Sequence, residues 1–428
     1  TSANDICASD NTFLSSTYFS SLNNGKHPSH AIAGFGADSL FCIMRIMASY
    51  LGFEGPRALE GLALLGRHGD ARRYNLDKLF TTKNGELRCN MRLIDPSRRK
   101  GWRVGNQRFG FTQALVDWLG PPAIECPSLD PHAHYAAALQ SMLETTLVAT
   151  LKNAHERGLP LANDLLVSGN AADHRYLLHV MQESAGHHRL QTAPITGAAG
   201  QALGAAAFLA ARHGIKLDTV QHPYWGPSFF TEECIAACKR HTSRPHYEVI
   251  KSPAKKAAKL LAEGHAVGWF QGRAESSPLP LGHRAVLYAA NSQQRPLQCQ
   301  ITGNRWTPVT NIVISHNAQQ QGRYSLSEMT TTGDRYVALT EEARQILPSD
   351  LQINGTAPLH SASKKTTPKL CETIDELEKI SGIGLVVQMP MQIANTPRAC
   401  STTDALDWFS QSDCHYLLME DLLISKDR

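Results

Sequence analysis

Ser277 and His283 bring a hydroxyl and an imidazole into one short stretch, the pairing that nucleophilic acyl transfer uses. No carboxylate is placed behind the histidine, and no Gly-x-Ser-x-Gly turn exists to present a serine, so a structural histidine is the simpler reading. Metal chemistry has three candidate groups: His27-Pro-Ser-His30, Asp173-His174 with His179, and His187-His188. Zinc or iron needs three or four ligands converging from separate segments. An H-x-x-H beside proline reads first as surface, and no metal is assigned. Cys234 and Cys238 are spaced i, i+4 on an expected helix, which suits a buried face better than a ligand pair. The 10 cysteines are otherwise scattered, without a C-x-x-C pair or a disulfide-framework spacing, and are expected to be reduced.

Apolar residues at helical spacing through Leu40, Ile43, Met44, Met47 and Leu51 predict a buried helix that stops at Gly52. A second helix is expected over 57–65, a polar hairpin or insertion over 74–103, and a long helix over 130–157. Asp164-Leu-Leu-Val-Ser-Gly-Asn reads as a short strand, followed by a helix, the strand-like Leu190-Gln-Thr-Ala and a Gly/Ala-rich helix over 197–212. This alternation predicts an α/β domain. Turn formers from His222 to Ser228 break it, and a boundary near 245 gives domains 1–245 and 246–428. Beyond it a basic amphipathic helix ends near Gly264, Ala266-Val-Gly-Trp-Phe is a strand, and a loop spans 271–284. The chain to about Ile353 reads as polar and irregular, 356–368 as linker-like, 371–380 as a helix, Gly384-Leu-Val-Val as a strand and 403–410 as the last clear helix.

At 428 residues the chain exceeds what one core usually serves, and 42% hydrophobic with 19% charged residues excludes an intrinsically disordered chain. A net charge of +4 with 19 histidines neutral is far from the basic surface that phosphate backbones require, so no nucleic-acid partner is expected. No apolar run approaches a membrane span and no basic-then-apolar leader opens the chain, so the expectation is a cytoplasmic protein without membrane association. The chain opens on Thr1 rather than Met, from which upstream residues are expected.

Glu263-Gly-His-Ala-Val-Gly-Trp-Phe-Gln-Gly-Arg-Ala-Glu, continuing to Leu281-Gly-His-Arg, resembles the G-W-F-Q-G-R-x-E-x-G-P-R-A-L-G-x-R motif of the O-carbamoyltransferases of antibiotic biosynthesis and nodulation-factor modification. Tyr224-Trp-Gly-Pro-Ser-Phe, Ala199-Gly-Gln-Ala-Leu-Gly-Ala-Ala, Ser39-Leu40 through Tyr50-Leu-Gly-Phe and Cys400-Ser-Thr-Thr-Asp-Ala-Leu agree with the family in the right order. The resemblance therefore covers nearly the whole chain. It implies an actin-like ATPase type N-terminal domain, incomplete here, and a YrdC-like α+β C-terminal domain. The implied reaction is ATP-dependent transfer of a carbamoyl group from carbamoyl phosphate to a hydroxyl of a small biosynthetic intermediate, with an iron-type metal in the first domain. A homodimer is left open.

Against that pattern Leu279 stands where the family has an arginine, Gln388 where an asparagine-rich segment falls, and Ala198 where an aspartate ligates metal. Of the segment equivalent to 299–309, Arg305 and Pro308 keep the family residues. Weak carbamoyl phosphate binding is expected from these losses. The retained Arg273, Glu275, His283 and Arg284 are the catalytic candidates. Glu275 either orients an anion-facing arginine pair or joins a structural ion pair that holds the loop. Gly169, Asn170, Gly200 and Gly226 are the candidates for close approach to a phosphate. A repurposed relative catalysing another acyl-group reaction or a cyclisation, and a non-catalytic partner, are the alternatives, since the cofactors of this chain stay open once those ligands are lost.

Overall fold

The computed structural model describes residues 18–20, 29–31, 40–53, 55, 58–66, 74–83, 86–124, 127–156, 164–167, 174–184, 189–218, 220–277, 279–292, 299–302, 305–308, 312–315, 322–325, 335–352, 355–393 and 396–426. Contacts divide the chain into two units, Thr1–Gln191 with Cys299–Pro308, and Thr192–Gln298 with Val309–Arg428. Residues 192–245, assigned from sequence to the first domain, group by contact with the second unit.

In the first unit the short strands β1 (Tyr18–Ser20) and β2 (Ser29–Ala31) pair antiparallel, ahead of α1 (Leu40–Tyr50) and α2 (Ala58–Gly66). The expected hairpin is β3 (Phe80–Lys83) with β4 (Glu86–Cys89), and its surroundings are less polar than the sequence implied: Leu79, Phe80, Leu87, Leu93 and Ile94 join the core around α1. Strands β5 (Arg103–Val104) and β6 (Gln107–Arg108) and helix α3 (Gln113–Leu119) follow. The long helix starts as one wide turn over Leu129–Ala133, where Pro131 has no N–H to give, and continues as α4 (His134–Glu156). Gly66 ends α2 against that turn; a Cβ there would fall 2.0 Å from the Ala133 carbonyl oxygen, so only glycine fits. Strand β7 (Asp164–Val167), helix α5 (Arg175–Ser184) and strand β8 (Arg189–Thr192) complete the alternation read from the sequence.

The second unit opens with α6 (Gly197–Arg212) and α7 (Thr231–Arg240), then strand β9 (His246–Val249), helix α8 (Pro253–Ala262) and strands β10 (Val267–Phe270) and β11 (Arg284–Ala289). The hairpin β12 (Cys299–Thr302) and β13 (Arg305–Pro308) groups with the first unit. After it come β14 (Ile312–Ser315), β15 (Arg335–Ala338), α9 (Glu341–Ile346), β16 (Thr356–Ser361), α10 (Pro368–Ser381), β17 (Val386–Pro390), α11 (Thr402–Gln411), β18 (Tyr416–Met419) and β19 (Leu422–Ser425). Nine strands form one sheet in the order β15-β16-β14-β17-β11-β10-β18-β19-β9. β10 runs parallel to β18 and β14 to β16, while the other neighbours are antiparallel.

Side chains alternate across this sheet. Trp269, Ala285, Leu287, Leu418 and Leu423 meet α8 and α10, and Phe270, Val286, Leu417, Met419 and Leu422 meet α7 and α11. A sheet covered on both faces reads as an unbroken apolar run, which is why Ala266-Val-Gly-Trp-Phe was legible. Gly268 lets the Trp408 ring lie on the strand, since a Cβ would come 2.8 Å from it. Two expectations are corrected here. The region after Arg284 holds the fully buried β11, and the linker-like stretch contains β16, whose Thr356 and His360 are buried inside the sheet. Pro358 is tolerated there because the ladder to β14 begins only at Leu359. No described helix is long and apolar enough to cross a membrane.

Candidate functional site

The parallel strands β10 and β18 deliver their C-terminal ends to one edge of the sheet, followed by the loop from Gln271 and by the turn at Glu420. Open α/β sheets characteristically bind ligands at such ends. Between that loop, the turn, the segment Lys365–Thr367, the first turn of α10 and the rings of His222 and Tyr224 lies a cavity of about 420 Å³. Pro368 at the first position of α10 presets its backbone and lacks only an N–H that would have no helical partner. All of these residues belong to the second unit.

Of the sequence candidates, Arg273 and His283 line the cavity and Glu275 and Arg284 do not. Arg273 is exposed; its Nε donates to the Gly226 carbonyl at 3.1 Å and its Nη2 to the Trp225 carbonyl at 3.0 Å, leaving Nη1 without a protein partner among the described residues. Arg284 is fully buried. Its Nη1 donates to the carbonyls of Gln271 (2.7 Å) and His283 (3.1 Å), its Nη2 to those of Gly272 (2.8 Å) and Pro227 (3.2 Å), and its guanidinium lies 3.7 Å from the Phe270 ring centre. Those donors are committed to holding loops, so the two arginines do not form an anion-facing pair.

Glu275 organises the loop from within. Its Oε1 accepts from the backbone N–H groups of Leu281, His283 and Arg284, and its Oε2 lies 3.6 Å from Arg398 Nη2. Burial is the largest single influence on Glu275 and opposes ionisation, but Arg398, His283 and the backbone donors together hold its carboxyl below the ordinary range. Arg398 also donates to the carbonyls of Leu279 and Glu275, at 2.6 and 2.8 Å. Leu279 packs with Tyr224 and Leu281, and the buried Gln388 donates to the Pro280 carbonyl. Leu279 is thus committed to packing and the Gln388 amide nitrogen to a backbone carbonyl.

His283 lies against Tyr224 with centroids 4.3 Å apart and the rings tilted by 38°, and both ring nitrogens face carbonyl oxygens, those of Arg273 and of Thr366, the latter at 3.0 Å. Burial is the main reason that its pKa lies below the usual histidine value, against the pull of the Glu275 carboxylate. Gly226 donates its N–H to the Ala274 carbonyl, and a Cβ would stand 2.8 Å from that oxygen, so this glycine serves close loop packing. Gly200 sits in the first turn of α6 and donates to Thr196. Gly169, Asn170, Asp173, His27, His187 and His188 lie outside the described residues.

Sequence reasoning missed the opposite wall. Lys369 Nζ donates to Gln271 Oε1 (2.9 Å), Glu420 Oε2 (3.0 Å) and Asp421 Oδ1 (3.2 Å), while Lys365 makes one long contact, 3.4 Å to Gln221. Thr367-Pro368-Lys369 was the available signal, a helix start preceded by two lysines. Among the described residues no three His, Cys, Asp or Glu side chains gather as a metal requires, and Ala198 falls in α6. The described residues do not supply a ligand set for the iron-type metal that the resemblance implies.

Residues 258–426 match the family model described as carbamoyltransferase C-terminus, a span that contains every cavity residue except His222 and Tyr224. The chain is 25% identical over 91% of its length to an uncharacterized protein of Synechocystis sp., 25% over 76% to nodulation protein NolO of Bradyrhizobium diazoefficiens, and 26% over 58% to nodulation protein U of Rhizobium tropici. It spans 67%, 60% and 42% of those proteins in turn. Domain model and relatives agree with the motifs and support reading the chain as a divergent relative of the O-carbamoyltransferases of the nodulation-protein-U type.

Proposed function

We propose that this chain transfers a carbamoyl group to a hydroxyl of a small biosynthetic intermediate, and that the cavity of the second unit holds the carbamoyl donor. The observation that supports this most is the coincidence of the cavity with the carbamoyltransferase C-terminus match. An acyl phosphate carries its negative charge on phosphoryl oxygens and its electrophilic carbon beside them. Among the described residues that line the cavity, Arg273 Nη1 and Lys365 Nζ are the cations with capacity left for those oxygens, and the first turn of α10 adds backbone N–H groups. In the step, the acceptor oxygen bonds to the carbamoyl carbon, the bond from that carbon to the phosphate oxygen breaks with its electrons on phosphate, and the hydroxyl proton leaves to phosphate or water. Cations placed where phosphate charge grows lower the barrier to that step. The actin-like and YrdC-like architectures, the cytoplasmic setting and the biosynthetic context belong to this same reading.

Calorimetry of the full chain with carbamoyl phosphate tests it. Binding is expected to be weak, with a dissociation constant above the micromolar range because Leu279 and Gln388 supply no charge, and to fall by about tenfold or more in Arg273→Met with Lys365→Met. Binding that survives both changes undiminished places the donor elsewhere.

A further inference from the structure

Ser243, His241 and Asp407 form a hydrogen-bonded line among residues that do not line the cavity. His241 follows the last turn of α7, and the Arg244 N–H returns to its carbonyl at 3.0 Å, closing a turn that brings the Ser243 side chain back to the imidazole. Arg244 holds this turn with φ at +40°, a region that a residue with a side chain seldom adopts and keeps only where surrounding contacts enforce it. Ser243 Oγ lies 2.7 Å from His241 Nδ1, and Asp407 Oδ1, on α11, lies 3.0 Å from His241 Nε2. An ionised carboxylate can only accept, so it fixes the ring hydrogen on Nε2. The Ser243 backbone N–H also donates to Nδ1, at 3.3 Å, and needs a lone pair there as well. The imidazole is thereby held in the tautomer that can take a proton from the serine hydroxyl. Its side chain is only 6% exposed, whereas Ser243 is open to solvent. A covered base, oriented from behind by a carboxylate and facing an accessible hydroxyl, is how a serine is made nucleophilic, and it is recognised by geometry and role, not by order in the chain.

We propose that Ser243 is a nucleophile that accepts acyl groups from small activated esters, with His241 as its general base and Asp407 as the residue that positions the base. Oγ bonds to the ester carbonyl carbon while its proton passes to His241 Nδ1. The bond to the leaving oxygen breaks with its electron pair on that oxygen, which takes the proton from Nδ1. Water then attacks the acyl-serine by the same route, releasing the carboxylic acid and restoring the hydroxyl. A serine so open to water has no enclosed oxyanion site, so the substrates are esters whose alcohol leaves readily, aryl esters above all, and not amides. This site stands independently of the carbamoyl donor reading.

Fluorophosphonate labelling of the full chain and hydrolysis of p-nitrophenyl acetate test the proposal. Attack of Oγ on phosphorus expels fluoride, so the parent is expected to gain a single phosphonyl group, mapped by peptide mass to Ser243, and to hydrolyse the ester at least about tenfold faster than Ser243→Ala. Asp407→Asn can donate an amide N–H to Nε2 and so favours the wrong tautomer. Its labelling is expected to slow by about a hundredfold at an unchanged melting temperature, a split that a merely structural contact would not give. Asp407→Glu keeps the carboxylate and should label within about tenfold of the parent. No label on Ser243 in the parent, equal labelling rates in the parent and Asp407→Asn, or equal ester hydrolysis by the parent and Ser243→Ala each overturn the proposal and leave these residues as a tie between α7 and α11.

Discussion

Two walls of the same cavity have been built in opposite ways. The loop over 271–284 carries the residues that a motif comparison selects, and most of their polar atoms are spent on backbone groups of the loop and its neighbours: Glu275 on three backbone N–H groups, Arg284 on four carbonyls, His283 against two more. The facing wall, Lys365 to Leu370 with Glu420, has no such signature and yet presents charge to the cavity. Motif residues here keep a shape, and unremarkable lysines and a turn glutamate set its electrostatics.

The comparison breaks first, if it is wrong, at Arg284. Arg284→Ala leaves the Gln271 and Gly272 carbonyls without their side-chain donor, takes one of two donors from the His283 and Pro227 carbonyls, and removes a cation near the Glu275 carboxylate, so denaturant unfolding should show a loss of about 3–5 kcal/mol. A variant as stable as the parent would mean that the loop does not depend on that guanidinium.

Acid titration sharpens it at a smaller scale. His283 has a folded-state pKa below its usual 6.5, so the unfolded chain binds the proton more readily and stability falls as pH drops below 6.5. Glu275, depressed below 4.5, adds a further loss as pH falls below that value toward its folded pKa. His283→Gln should flatten the first part of the stability curve by up to about 1.4 kcal/mol per pH unit and, because the imidazole is one of the groups that hold the Glu275 carboxyl down, also reduce the loss below 4.5. Identical slopes between pH 6.5 and 5 in parent and variant would remove His283 from the account.

The smallest effect belongs to the other wall. Lys365→Met should change stability by less than about 0.5 kcal/mol, because a single long contact to Gln221 is all it gives up, while the affinity for carbamoyl phosphate drops. A clear loss of stability would make this wall scaffold too.

The sequence disclosed what periodicity and apolar runs can disclose. Helices α1, α5, α6, α8 and α11 and strands β7, β10 and β17 follow from their patterns, and the carbamoyltransferase likeness from Trp269-Phe-Gln-Gly-Arg and its neighbours. Strand β16 escaped because Thr-Ala-Pro-Leu-His-Ser is polar by composition and is buried only through pairing on both sides. Arg398 escaped because its partner Glu275 lies far away in sequence, and spacing carries no trace of that pairing. Glu420-Asp421 reads as any polar turn; that its side chain points inward is a property of the hairpin's placement beside Gly272 and Lys369.

The pairing of β10 with β18 also orders events in time. Val267 lies opposite Tyr416, and β9 pairs with β19 at the same margin of the sheet, so strands made early on the ribosome wait for a hairpin made much later. Until then the sequence Val267-Gly-Trp-Phe has one antiparallel neighbour, β11, and an open edge on its other side. Closing so long a loop is slow, and an unpaired apolar edge is the site at which nascent chains associate wrongly. Refolding of the second unit should therefore be slower than its helix content suggests, and the emerging chain is an expected client for chaperones that bind exposed strands.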